Sequence, residues 1–281
     1  MLKTICICGA GTMGSGIAQA AASAGFYTVL YDLSEAVLKK AQADMELNFQ
    51  KLADKGKITA KVKQQTVQLI KYTNELNDCL ADIIIEAIVE KTEAKTILFN
   101  QLAEINHSET IFATNTSSLS VTEIARNIKN PERVAGMHFF NPAPLMKLVE
   151  VVKTEFSSKE TLAAIIETAM KMGKTPVLCK DSPGFIVNRV ARPYYLESLR
   201  MAEEGEAGFA AIDNILECTG FKMGPFRLMD FIGNDINYAS SVSVYQRLGS
   251  PARLKPSSLQ KEKMEKGELG RKTGKGYYNY S

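Results

Sequence analysis

Over the first two thirds of the chain, short apolar runs alternate with segments whose apolar residues recur every three or four positions. "KTICICGAG" is an apolar run closing on glycine, "SGIAQAAASAG" has helical spacing, and "YTVLYDL" is again extended. Strand, glycine turn, helix and strand make a βαβ unit. From Ser34 to about Gln68 the pattern predicts two amphipathic helices broken around Lys55 to Lys57, a longer excursion than a plain crossover requires. Further strands are predicted at "ADIIIEAI", "TIFATNT", "RVAGMHFF" and "KLVEVV", with helices "KTEAKTILFNQLAEI" between the first two and "KETLAAIIETAMKMG" after the last. Such alternation defines an α/β protein with an open, Rossmann-type, mostly parallel sheet. From Ile186 onward only helical periodicity with Gly and Pro punctuation appears before "KGYYNY". The expected organisation is therefore a nucleotide-binding domain with a helical excursion over 1–183 and a smaller all-α domain over 184–281, used for substrate and dimerisation.

Composition narrows the class. The chain has 281 residues, 45% of them hydrophobic, enough to bury a full core. A formal charge of +3 without a long basic run indicates no nucleic-acid partner. No apolar stretch approaches the roughly 18 to 20 residues that span a bilayer. "MLKTICICGAG" lacks a signal-peptide pattern, so a cytoplasmic protein without a membrane partner is expected. The five cysteines, Cys6, Cys8, Cys79, Cys179 and Cys218, lack the paired spacing of a zinc site or disulfide framework. No metal is expected, and Cys6 and Cys8, two apart in a strand, are read as core packing.

The glycine turn carries the first chemistry. Gly9, Gly11 and Gly14 spell G-x-G-x-x-G in "GAGTMG", with Thr12 and Met13 inside it, between a strand and a helix. The first two glycines permit a tight turn and close backbone approach to a pyrophosphate, Gly14 lets helix and strand pack, and the helix N-terminus offers amide donors. Asp32 closes the next strand and can accept from the ribose hydroxyls. It would repel a 2'-phosphate, and "LSEAVL" supplies no arginine to neutralise one, so the expected cofactor is NAD rather than NADP.

Removing a hydride from an alcohol carbon requires a base for the hydroxyl proton, and histidine suits that task. Of the two histidines, His107 in "INHSET" reads as a solvated loop residue. His138 in "HFFNPAPLMKLVEVV" ends a strand, at the sheet edge where such folds bind ligands. Twelve residues on, Glu150 lies in the strand-like "MKLVEVV", where a buried carboxylate needs a donor. The spacing permits a contact with His138 that would orient the ring.

The blocks "GAGTMGSGIA", "EAIVEKTEAKTILF", "NTSSLSVTEIA", "HFFNPAPLMKLVEVV", "DSPGFIVNR" and "GRKTGKGYYNY" resemble the 3-hydroxyacyl-CoA dehydrogenase family over nearly the whole chain, especially its single-function bacterial members. The resemblance implies an NAD-dependent enzyme acting on a short-chain acyl-CoA, and a homodimer. It implies His138 as the general acid/base and Glu150 as its orienting partner, with Ser117 and Asn188 on the substrate oxygens. Glu90, Lys95, Asn141 and Lys272, with Ser117, match positions lining the cofactor. Lys51, Lys55 and Lys57 in the helical excursion are candidates for the CoA phosphates. In the second domain Lys222 and Ala211 depart from the family pattern, where a proline and an acid are usual.

The sequence also admits two rival readings. Hydroxyacid dehydrogenases with a similar glycine turn rely on a catalytic lysine rather than a His and Glu pair. A non-catalytic dinucleotide-binding protein could dispense with His138, Glu150, Ser117 and Asn188 together, yet all four are present.

Overall fold

The computed structural model describes residues 3–280. Residues 1–181 form one compact unit and 182–281 a second. The first is built on eight strands: β1 (Thr4–Cys8), β2 (Tyr27–Tyr31), β3 (Ile70–Thr73), β4 (Ile83–Glu86), β5 (Ile111–Thr114), β6 (Val134–Phe139), β7 (Leu148–Lys153) and β8 (Thr175–Lys180). Their spatial order is β3-β2-β1-β4-β5-β6-β7-β8, and every pair is parallel except β6 with β7. The order reverses between β1 and β4, the switch point at which open α/β sheets bind ligands.

Alternation sends successive residues of each strand to opposite faces, and both faces are covered. On one face Ile5, Ile7, Ile83 and Ile85 pack with Ile17, Leu38 and Phe49. On the other, Cys6, Cys8 and Ile84 pack with Phe99, Leu102 and Ile124. Burial of both faces explains why the strands read as continuous apolar runs rather than alternating ones.

The first crossover helix is α1 (Thr12–Ser23), and the helical excursion comprises α2 (Glu35–Asp54) and α3 (Ala60–Gln68). Ser34 caps α2 by accepting from the Val37 amide, and Thr59 caps α3 from the Val62 amide. The stripe Leu38, Ala41, Met45 and Phe49 buries one face of α2, leaving Lys51 and Lys55 exposed on its last turn and cap. The remaining helices of the unit are α4 (Thr92–Ile105), α5 (Val121–Arg126) and α6 (Lys159–Lys171).

The second unit holds α7 (Val187–Glu203), α8 (Phe209–Cys218), α9 (Pro225–Ile232), α10 (Asn234–Arg247) and α11 (Ser258–Glu265). Its own core contains Tyr195, Leu199, Ile212, Phe226 and Met229. Within "KGYYNY" the chain makes an isolated bridge rather than a strand, between Lys275 and Asn279. The tail is instead tied to Asp230, 1% exposed, which accepts from the Tyr277 and Tyr278 amides and the Tyr280 hydroxyl.

Two features depart from the sequence pattern. β3 extends the sheet beyond β2, and β8 extends it beyond β7, where no strand is predicted. Cys79, far from Cys6 and Cys8 in sequence, joins them in space, a cluster that the sequence spacing does not show. Among the described residues no helix is long and apolar enough to cross a membrane.

Candidate active site

The carboxyl ends of the parallel strands collect the predicted residues of the first unit. β1 runs into Gly9, whose φ of +105° is the left-handed region that favours glycine. A Cβ there would lie 2.5 Å from the Ala87 carbonyl oxygen, and one on Gly14 would lie 1.7 Å from the Gly9 carbonyl oxygen. These two glycines thus let strand, turn and helix close on one another. At Gly11 a Cβ would meet nothing within 4 Å, so the backbone there borders open space, as a pyrophosphate requires. Gly11 caps α1 without a side-chain bond, leaving the amides of the first turn for an anion. Thr12 is exposed, while the Met13 side chain packs partly into the core, so only its backbone is left for a ligand.

Asp32 follows β2. Its Oδ2 accepts from the Ala10 amide at 2.8 Å and its Oδ1 from the Ser34 amide at 2.9 Å. The carboxylate is thereby fixed against the glycine turn, where a ribose would lie. The residues present fit a dinucleotide.

Beyond β4 and β5 lies a network the sequence reading only half anticipates. Glu86, 0% exposed, ends β4; it accepts from Lys95 Nζ at 2.6 Å, Thr114 Oγ1 at 2.6 Å and the Ile88 amide at 2.7 Å. Lys95 also reaches Glu90 Oε2 at 3.2 Å. Glu90 Oε1 in turn accepts from Thr116 Oγ1 at 2.6 Å and from the Ser117 and Ser118 amides at 3.1 and 3.2 Å. Burial alone would raise the Glu90 carboxyl, but the Lys95 charge and the Thr116 and Ser118 hydroxyls outweigh it and hold it below the ordinary carboxylate range. Lys95 is not a helix-face lysine: it is 1% exposed and locks the Asn115–Ser118 turn through Glu90. Glu86 was missed, although an acid inside "ADIIIEAI" is the same signal that singles out Glu150.

β6 and β7 complete the first unit's site. Their antiparallel register places His138 directly opposite Glu150. His138 Nδ1 lies 2.7 Å from Glu150 Oε2, with side chains 7% and 1% exposed. The Asn115 carboxamide, accepting from the Phe139 amide at 2.8 Å, ties the end of β5 to the end of β6. Asn141 follows, exposed, in a cis bond to Pro142. His107 lies in the α4–β5 loop, its Nδ1 accepting from the Glu109 amide.

A groove of about 1090 Å³ runs from Gly11 and Thr12 along α1, with Lys51 and Lys55 on one side and the Asn141–Leu145 loop on the other. Lys57 does not line it. Lys174, 7% exposed, secures that loop by donating to the Ala143 and Met146 carbonyls. Burial holds its ammonium below the usual lysine range.

Asn188 and Lys272 belong to the second unit. Asn188 is half-buried at the start of α7, its carbonyl accepting from Arg192 Nε. Lys272 is not simply solvated: its ammonium meets Asp235 Oδ1 and Oδ2 at 2.6 and 2.7 Å.

A phosphate-binding turn at the switch point, with a buried His and Glu pair at the same sheet edge, defines a dinucleotide-binding oxidoreductase. Residues 4–182 match the 3-hydroxyacyl-CoA dehydrogenase NAD binding domain, and residues 184–280 match that enzyme's C-terminal domain. The chain belongs to the 3-hydroxyacyl-CoA dehydrogenase family, and its cofactor is NAD. It is 46% identical to the 3-hydroxyadipyl-CoA dehydrogenase of Escherichia coli over 99% of this chain and 59% of that protein, so it spans about three fifths of that relative's length. It is 41% identical to a probable 3-hydroxybutyryl-CoA dehydrogenase of Deinococcus radiodurans, over 98% of this chain and 99% of the other. The crystal structure of (S)-3-hydroxybutyryl-CoA dehydrogenase from Ralstonia eutropha superposes with a TM-score of 0.95 at 38% identity, covering 100% of both chains.

Proposed function

We propose that this chain interconverts (S)-3-hydroxyacyl-CoA and 3-oxoacyl-CoA with NAD, and that the short-chain pair 3-hydroxybutyryl-CoA and acetoacetyl-CoA is its substrate. The carrying observation is the 2.7 Å contact between His138 Nδ1 and Glu150 Oε2 at the ligand-binding edge of the sheet. A carboxylate only accepts hydrogen bonds, so it holds the proton on Nδ1 and leaves the lone pair of the neutral ring on Nε2. Nε2 takes the hydroxyl proton during oxidation and returns it during reduction. NAD, held by the Gly9–Gly14 turn and Asp32, would supply the hydride acceptor for the carbinol carbon, so that alcohol and NAD⁺ would give ketone, NADH and a proton.

In this reading Ser117, on the turn after β5, donates to the substrate oxygens and the developing alkoxide. Glu90 and Lys95 set the turn that carries Ser117, and Asn141 lines the cofactor. Lys51 and Lys55, exposed beside the groove, meet the CoA phosphates. A cytoplasmic homodimer formed through the helical unit completes the proposal; on that unit Val190, Ile215, Phe231 and Ile236 are exposed.

The test is NADH oxidation with acetoacetyl-CoA, longer 3-oxoacyl-CoAs, 3-oxoadipyl-CoA and free acetoacetate. The proposal expects the highest kcat/KM for acetoacetyl-CoA. Equal turnover of free acetoacetate would remove CoA from the reading, and a preference for 3-oxoadipyl-CoA would replace the short-chain substrate with a dicarboxylic one.

A further inference from the structure

Pleating sends Cys6 and Cys8 of β1 to the same face of the sheet, and Cys79, in the connection from β3 to β4, packs on that face with them. The three sulfurs lie within 4.8 Å of one another, with Cys6 Sγ and Cys8 Sγ 3.9 Å apart. All three residues are 0% exposed and share their pocket with Val29, Tyr31, Ile84 and Phe99. Packing accounts for two thiols on one strand but does not require a third to converge on them. Cys6 and Cys8 sit two residues apart in an extended strand, about 6.5 Å between Cα atoms, near the limit for a disulfide and aimed side by side rather than at each other.

We propose that Cys6, Cys8 and Cys79 form a three-thiol pocket that captures trivalent arsenic. Arsenous acid exchanges its three As–O bonds for three As–S bonds: each thiol proton leaves with a hydroxide as water, and no atom changes oxidation state. The product, As(SR)₃, is neutral. That decides between ligands, because a zinc ion on three thiolates leaves one negative charge and a vacant fourth position, and a cuprous ion leaves two charges. Burying such net charge costs several kcal/mol on an order-of-magnitude scale unless a counter-charge is present. The charged groups acting on Cys79 are Asp78 and Lys71, and they already pair with each other at 2.8 Å.

Cys79 is the first of the three to react. Of the three, it alone has sequence neighbours at the surface: Leu80, 55% exposed, and the partly exposed Asp78. Cys8 directly precedes Gly9, so the loaded cluster would anchor the strand beneath the phosphate-binding turn.

The experiment uses the full chain, reduced, treated with sodium arsenite and desalted, with arsenic counted by mass spectrometry and its ligands by X-ray absorption. One arsenic per chain with three sulfur ligands is expected, and so is the same result in Cys179→Ser/Cys218→Ser, which retains only the three clustered thiols without touching the core. Cys79→Ala should retain less than a tenth of the arsenic. Absence of retained arsenic, a two-sulfur shell, or loss of binding in the double serine variant would overturn the site. Retention of cadmium in preference to arsenite would overturn the argument from neutrality.

Discussion

A carboxylate on one side of an imidazole decides which nitrogen carries the proton, and that makes the His138 and Glu150 pair testable one residue at a time. His138→Ala is expected to lower kcat by about 10² to 10⁴ while leaving NADH affinity nearly unchanged, because general acid/base catalysis is worth that much. Glu150→Gln keeps the shape, but its amide can donate to Nδ1 and so favour the wrong tautomer. Its kcat should fall at least tenfold at unchanged KM for NADH; wild-type turnover would reduce Glu150 to a structural role. Asp32→Ala, which deletes both the ribose acceptor and the repulsion of a 2'-phosphate, should shift the ratio of kcat/KM for NADH over NADPH toward NADPH. An unchanged ratio would take Asp32 out of cofactor selection. An acid inside an apolar strand advertises its need for a partner, and so Glu150 was legible. Its distance from His138 was not, because the antiparallel register that sets them opposite each other lies in no local pattern. Glu86 carried the same advertisement, and its partner Lys95 reads as an ordinary helical lysine until α4 is laid against β4.

At the scale of elements, the Glu86–Lys95–Glu90 network joins β4 and α4 to the turn after β5. Lys95→Met preserves bulk but strands Glu86 without its cation, which is expected to cost about 3 to 5 kcal/mol of stability in denaturant unfolding. Adding Glu86→Gln should restore part of that loss, since no buried charge then lacks a partner. If the double variant is no more stable than the single one, the pair is not the source of the cost. On α2, Lys51→Ala/Lys55→Ala should raise KM for CoA thioesters severalfold, less so as salt is added, with KM for NADH unmoved. An unchanged KM for the thioester would leave those lysines a solvated face. α2 and α3 were readable because their apolar stripes and polar caps are strong local signals. β3 was not: four residues, "IKYT", offer too short a run to separate from the helix before it, and its place is set by pairing with β2.

The whole molecule has two cores, one folded around the sheet and one among α7 to α11. The change from strand-rich to purely helical pattern was visible along the chain. What closes the helical core was not, because Asp230 reads as an ordinary helix acid and its partners in the tail lie 47 to 50 residues away. This carboxylate accepts from Asn234 Nδ2, the Tyr277 and Tyr278 amides and the Tyr280 hydroxyl, and Gly276 has no Cβ because one would lie 2.0 Å from Asp230 Oδ1. Hydrogen bonds to a charged group are each worth about 1.5 to 3 kcal/mol, and removing the acceptor also strands buried amides. Asp230→Ala should therefore destabilise the helical unit by about 3 kcal/mol or more, while the dinucleotide turn, built wholly within the first unit, is untouched. In calorimetry the variant should show an early transition that NADH does not move, followed by a later one that NADH still raises. The same variant should bind NADH with unchanged Kd below the early transition. If unfolding stays at the wild-type temperature, Asp230 does not hold the tail. If NADH affinity falls with stability, the dinucleotide site depends on the helical unit more than its own residues indicate.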